Sequence, residues 1–297
     1  MKILITGAKG QLGTQLIEIL SRGKSELGPV PKEVKNCEII PCGVEELDIT
    51  DLKAVKELFH KKKPEVVINC AAYTNVDGCE SNEDLAFKVN SLGPRNLAMA
   101  SEEIGAKLLH LSTDYVFRGQ GTVPYKEYDK VDPVSAYGKS KALGEEYVRE
   151  FSTKYFIVRP AWLYGYYGKN FVKTIMKVAK EKGHLTVVND QRGNPTNVED
   201  LVHHLLKLIP TEEYGIYNCT GEGECTWYDF AKAIVTLAKI NCTVDPVTSE
   251  QFNSAAKRPS FSSLDNMMLR CTVGNEMRPW EEALKTFIEN VKTLEKF

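Results

Sequence analysis

Three glycines at three-residue intervals, Gly7, Gly10 and Gly13, follow a nearly continuous apolar run from Met1 to Thr6 and precede Leu16, Ile17 and Leu20 at helical spacing. This order of strand, glycine turn and helix constrains the fold more than any other feature of the chain. It predicts the first βα unit of a parallel sheet. Small residues there let backbone approach a pyrophosphate, and the helix beyond them offers unpaired N–H groups and a favourable dipole. Glycine turns also close tight βα connections with no ligand at all. The position of the triplet at a βα junction therefore carries the expectation of a dinucleotide site.

The rhythm continues down the first half. Glu38 to Pro41 predicts a strand, and Leu52, Val55, Leu58 and Phe59 form the apolar face of a helix capped at Thr50 or Asp51. Further strands are predicted at 65–72, 107–112 and 155–158, with helices over 85–104 and 135–151 between them. Strands alternating with helices of this length imply βαβ units and a doubly wound parallel sheet of Rossmann type. Residues 1–158 form this dinucleotide-binding domain, and 159–297 form a smaller C-terminal α/β lobe that selects the substrate. Strands are predicted at 185–188 and 215–219, and segments near 185–220 are expected to return to the first domain.

A chain of 297 residues is about two domains long. Its 38 Lys and Arg against 40 Asp and Glu leave a net charge of −2, which argues against a general grip on nucleic acid or an anionic membrane. No stretch approaches the roughly 20 apolar residues needed to span a bilayer, and no signal peptide is recognisable. A cytoplasmic location is expected. The eight cysteines, at 37, 42, 70, 79, 219, 225, 242 and 271, have no metal-ligand spacing and read as structural thiols, so no metal site is predicted.

Tyr137 and Lys141 lie four apart in a predicted helix, so one face presents both to one ligand. An ammonium near a phenol stabilises phenolate and lowers its pKa, making the tyrosine a usable acid. By itself the pair fits an ordinary helix surface equally well. The strand at 107–112 runs into Thr113, and ligands of open α/β sheets bind beyond strand carboxyl ends. Thr113 is thus placed to hydrogen-bond a substrate carbonyl beside the phenol.

These motifs resemble the extended short-chain dehydrogenase/reductases, and within them the dTDP-4-dehydrorhamnose reductase family. The resemblance runs over nearly the whole chain, through Gly7 to Gly13, Leu47-Asp48-Ile49, residues 69–77 (NCAAYTNVD), 112–117 (STDYVF) and 137–141 (YGKSK). In the second half it rests on 159–165 (RPAWLYG), 170–172 (NFV), 190–196 (DQRGNPT), 227–231 (WYDFA) and Arg258-Pro259. It implies NADPH- or NADH-dependent reduction of the C4 ketone of dTDP-4-dehydro-β-L-rhamnose, with Tyr137 as proton donor, Lys141 holding the nicotinamide ribose and Thr113 orienting the carbonyl. Gln11 and Leu12 would lie against the pyrophosphate, Asp48 and Ile49 against the adenine, and Ala71 and Ala72 beside the cofactor. Asp114 and Trp162 would contact the sugar nucleotide, and Arg258 its diphosphate. For Trp162 core packing competes with that role, and for Arg258 a surface role does. His110 reads as an interior histidine and Lys61-Lys62-Lys63 as a solvated helix end.

Two departures limit the transfer. Some members of the family dimerise through a metal bound by a glutamate where this chain has Gln15, a poor ligand for a hard cation, so a monomer or weak homodimer is expected. After the second strand, Cys42-Gly43 offers neither an acid for a ribose diol nor an arginine for a 2′-phosphate. The cofactor preference is therefore open at this stage. Dehydratases of the same superfamily place Asp-Glu after the hydroxyl residue, whereas Thr113 is followed by Asp114 and Tyr115. A non-catalytic regulatory subunit of the same fold is the remaining alternative.

Overall fold

The computed structural model describes residues 1–252 and 254–294. Strands β1 (Lys2–Thr6), β2 (Glu38–Cys42), β3 (Val66–Asn69), β4 (Lys107–Leu111) and β5 (Tyr155–Arg159) alternate with helices α1 (Gln11–Arg22), α2 (Leu52–Lys62), α3 (Gly93–Ile104) and α4 (Ala136–Phe151). Side-chain caps set the starts of α2 and α4. Asp51 caps α2 by accepting from the Lys53 and Ala54 amides, and the Ser135 hydroxyl accepts from the Gly138 amide at the start of α4. The helix predicted over 85–104 is interrupted by a π-turn at Lys88–Leu92 before α3 begins.

In the second half, α5 (Phe171–Lys182), β6 (His184–Val188), α6 (Val198–Leu208), β7 (Gly215–Asn218), α7 (Trp227–Ala238), β8 (Thr243–Val247) and α8 (Trp280–Leu294) follow. The main sheet has the order β7-β5-β4-β3-β1-β2, and every neighbour pair is parallel. Of the stretch near 185–220, Gly215–Asn218 joins this sheet beside β5, whereas His184–Val188 pairs in parallel with Thr243–Val247 in a separate two-stranded sheet. The strand predicted at 185–188 forms, but its partner lies almost sixty residues downstream, beyond the reach of a local pattern.

Two cores flank the main sheet. One packs Leu16 and Ile19 of α1 and Leu201 and Leu205 of α6 onto Ile3, Ile5 and Leu109. The other packs Val55 and Phe59 of α2, Leu97 of α3 and Val148 of α4 onto Leu4, Val67 and Leu108. A third core, built from Ile175, Met176, Phe230, Ile234, Leu284 and Phe287, belongs to α5, α7 and α8. Among the described residues no helix is long and apolar enough to cross a membrane.

The strand order reverses direction between β1 and β3. Doubly wound sheets open a crevice for ligands at such a point, beyond the strand carboxyl ends.

Candidate active site

A cavity of about 460 Å³ occupies that crevice. The glycine turn lines it with Gly10, Gln11, Leu12 and Gly13, β3 runs out at Cys70 and Ala72, and β4 runs out at Ser112, Thr113 and Asp114. Helix α4 contributes Tyr137 and Lys141, and the segment after β5 contributes Trp162 and Lys169.

The glycines of the turn have different reasons to be glycine. Gly7 has φ +64°, and a Cβ there would sit 2.7 Å from the Ala71 nitrogen; a Cβ on Gly13 would sit 2.4 Å from the Gly7 carbonyl oxygen. Both are demanded by packing within the turn. Gly10 is not: a Cβ there meets only the Gly7 carbonyl oxygen, at 3.2 Å. It caps α1 without a side-chain bond and faces the cavity, so the bare backbone is left to a ligand. This open cradle at a helix N-terminus fits the pyrophosphate of a dinucleotide.

Tyr137 and Lys141 are both buried on the inner face of α4, with Lys141 only 1 % exposed. The Lys141 ammonium donates to the Leu111 carbonyl oxygen at 2.5 Å, and burial lowers its pKa to about 8 against the opposing pull of Glu145. Burial pushes the Tyr137 phenol above its ordinary value, opposed by a hydrogen bond with Thr113 and reinforced by the Asp114 charge. The sequence led us to expect the opposite direction, a phenol acidified by Lys141. Desolvation sets the direction, and the phenol keeps its proton at neutral pH.

Behind this pair lies a buried ion pair. Arg159 donates to both carboxylate oxygens of Glu145, at 2.8 and 2.6 Å, and the Ser112 hydroxyl donates to the same carboxylate at 2.5 Å. Tyr137, Lys141 and Glu145 therefore form one stripe at four-residue spacing along α4. On the opposite side, His110 accepts from the Asn69 amide at 2.9 Å, and burial holds the imidazole neutral. It is an interior residue of β4.

Thr113 donates to Asp114 at 2.9 Å and accepts from the Tyr115 amide at 3.2 Å. Asp114 is buried, and desolvation pushes its pKa up to about 6 against the opposing pull of the Ser262 and Thr113 hydroxyls. A carboxyl whose folded value lies above its unfolded one is held in its neutral form by folding. Its stabilising contribution is therefore present at low pH and is lost as pH rises from about 4 through about 6. Asp114→Asn is expected to raise stability at pH 7 by about 2 kcal/mol and to flatten the stability profile between pH 4 and 6. Denaturant unfolding across that range checks this; a variant less stable than wild type at pH 7 would contradict it.

Trp162 holds a left-handed backbone conformation, φ +47°, which costs a bulky residue energy. Its indole stacks on Trp227 with ring centres 3.6 Å apart and covers Gly193, where any Cβ would strike it at 2.6 Å. The stacked ring also lines the cavity.

A second cavity of about 310 Å³ is bordered by Tyr115, Phe171, Gln191, Trp227, Phe252 and Arg258. Arg258 pairs with Asp77 at 3.0 Å. Of the other predicted residues, Gly7 and Ala71 form the wall of the turn, Ile49 is buried in the core beneath Gly93, and Asp48 is exposed and accepts from the Thr50 amide at 2.9 Å. None of these four lines the first cavity. Gln15 is fully buried, donating to Glu199 at 2.8 Å and accepting from the Tyr166 amide at 3.0 Å. Sequence reasoning passed over Lys169 and Ser112 at the cavity, and Glu145 behind it. A signal existed for Glu145 alone, the continued four-residue spacing after Tyr137 and Lys141.

A doubly wound parallel sheet, a glycine turn at its switch point and a Tyr/Lys pair beside a strand-end threonine define an extended short-chain dehydrogenase/reductase, an oxidoreductase that uses a nicotinamide dinucleotide. The family model described as the RmlD substrate binding domain matches residues 1–293. A dTDP-4-dehydrorhamnose reductase of Aggregatibacter actinomycetemcomitans is 39% identical over 297 aligned positions, covering 96% of this chain and 97% of that one. The crystal structure of a dTDP-4-dehydrorhamnose reductase from Clostridium acetobutylicum is 48% identical, with a TM-score of 0.93 over 98% of this chain and all of that one. A second, from Bacillus anthracis in complex with NADP, is 43% identical with a TM-score of 0.91 over 98% of this chain and 100% of that one. The chain belongs to the dTDP-4-dehydrorhamnose reductase family.

Proposed function

We propose that this protein reduces the C4 ketone of dTDP-4-dehydro-β-L-rhamnose to give dTDP-L-rhamnose. The observation that carries the reading is the meeting of Tyr137, Thr113 and Lys141 in a cavity whose Trp162 wall stacks on Trp227, a residue of the second cavity. A sugar in the first cavity has its ketone beside the phenol. The nucleotide end then extends past the tryptophan pair toward Arg258, whose guanidinium suits diphosphate oxygens. The relatives' own reaction, reduction of dTDP-4-dehydrorhamnose, supports this substrate.

The cofactor, when bound, supplies a hydride to C4. Gly10, Gln11 and Leu12 would hold its pyrophosphate and Lys141 its nicotinamide ribose. The protein's own contribution is protonic and electrostatic. Tyr137, kept protonated by burial, gives its proton to the oxygen as the C=O bond becomes C–O–H, so one hydride and one proton complete the alcohol. The buried Lys141 charge lies on the same helix face and favours the phenolate left behind. Thr113 fixes the direction of approach from the end of β4. The lobe carrying Trp162, Trp227 and Arg258 selects the sugar nucleotide.

The test is to follow NADPH and NADH absorbance with enzymatically generated dTDP-4-dehydro-L-rhamnose. Oxidation stoichiometric with dTDP-L-rhamnose supports the assignment; no oxidation above background with either cofactor overturns it.

A further inference from the structure

Two cations line the first cavity, Lys141 and Lys169. Lys141 is buried and already donates to the Leu111 carbonyl oxygen, whereas Lys169 is exposed and has no hydrogen bond or ion pair among the described residues. The backbone that carries Lys169 is nonetheless fixed. Residues 165–170 lie as a strap on the start of α1, tied down by Gln11 and Gln15, which stand one turn apart on one face of that helix. Gln15 accepts from the Tyr166 amide at 3.0 Å, and a Cβ on Gly165 would strike its side-chain oxygen at 2.6 Å. Gln11 accepts from the Asn170 side-chain amide at 3.0 Å. Between these ties Gly168, at φ +65°, rests on Gln11, where a Cβ would lie 3.3 Å from that of the glutamine. Asn170 also donates to the Gly165 carbonyl oxygen at 2.8 Å and accepts from the Lys173 amide at 3.1 Å, which pins the end of the strap to α5.

We infer that Lys169 is the cation that completes the glycine turn toward the cofactor's pyrophosphate, delivered by this strap from the second half of the chain. The inference rests on use of a nicotinamide dinucleotide held at that turn and is independent of which sugar is reduced. The turn by itself offers backbone N–H groups and the partial positive charge of a helix start, about half an elementary charge, to a ligand that is fully ionised. Its own residues from Gly10 to Thr14 are uncharged. A full charge has to come from elsewhere in the fold, and Lys169 supplies it on a flexible stem whose neighbours on both sides touch Gln11, the first residue of α1. No carboxylate competes for the ammonium, so a phosphate binds without breaking an internal pair. The pyrophosphate is common to NADPH and NADH, and Lys169 therefore raises the affinity for both without choosing between them. The substrate's diphosphate is the rival ligand. Lys169 borders the first cavity and not the second, where Arg258 stands, and its strap is tied to the turn, which assigns the charge to the cofactor.

Binding alone tests this, read by calorimetry and by the fluorescence of bound NADPH and NADH. The probes are the two cofactors, ADP-ribose, which carries the pyrophosphate without nicotinamide or 2′-phosphate, and dTDP, which carries the rival diphosphate. Lys169→Gln removes the charge at an exposed position where the fold does not depend on it. It is expected to weaken NADPH, NADH and ADP-ribose alike, by about five- to tenfold, and to leave dTDP within about twofold. Added salt should narrow the gap between wild type and variant, because the missing contact is ionic and solvent-facing. Unchanged affinity for the cofactors and ADP-ribose would overturn the inference, and so would a gap that salt leaves untouched. A loss for dTDP as large as that for the cofactors would also overturn it, by giving the lysine to the substrate. Failure of the sugar assignment, by contrast, leaves these cofactor affinities as they are and shows only as absent turnover.

Discussion

Tyr137→Phe is expected to lower turnover by about two to four orders of magnitude while leaving the affinity for NADPH and NADH within about twofold. The ring sits in a buried slot, meeting Tyr115 edge to face with centres 5.7 Å apart, and phenylalanine fills the same space. What is lost is the proton. Its burial-raised pKa means that wild-type Tyr137 carries that proton throughout the neutral range, so the acid itself should not limit the rate near pH 7. Lys141 sets the alkaline limit instead. With its pKa lowered to about 8, it loses charge as pH rises through that value, and activity should fall with it. Single-turnover absorbance with saturating cofactor separates the chemical step from binding. Turnover undiminished in Tyr137→Phe would reject the phenol as the acid.

What could be read from the sequence was set by how local the cause is. The glycine turn, the strands of the main sheet and the Tyr137/Lys141 pair each follow from residues within a turn or two of one another, and a period of two or 3.6 exposes them. Even the weak strand Gly215–Asn218 was legible from its pattern, though its seat beside β5 is a matter of tertiary pairing. The parts that were illegible all join distant segments. Gln11 meets Asn170 across 159 residues, and nothing in Gly168-Lys169 announces the glycine turn they lie against. The direction of the Tyr137 shift was missed for a related reason. Helical spacing puts an ammonium and a phenol on one face, but the low-dielectric surroundings that set the shift are built by β4, α4 and the segment after β5 together.

Removing the arginine behind the catalytic helix is expected to be the most destabilising single change. Arg159 is 1 % exposed and Glu145 4 %, and the guanidinium satisfies both oxygens of that carboxylate. Arg159→Met strands a buried anion that keeps the Ser112 hydroxyl as its hydrogen-bond donor among the described side chains, with the Lys141 charge on the same helix face. Loss of one member of such a pair typically costs about 3–5 kcal/mol, and a comparable loss is expected here by denaturant unfolding. Glu145→Leu/Arg159→Met removes both charges and should recover most of that loss, because well-packed apolar replacements of a buried pair are often close to neutral. Stability and catalysis part at this point. Glu145 is the group that draws the Lys141 pKa upward against burial, so its removal shifts that value further down. In the double variant the alkaline fall in activity should therefore begin at lower pH than in wild type, even where the fold has been regained. A single variant within about 1 kcal/mol of wild type would mean that water enters and solvates the stranded carboxylate. An unmoved pH limb in the stable double variant would mean that Lys141 does not feel Glu145 at all.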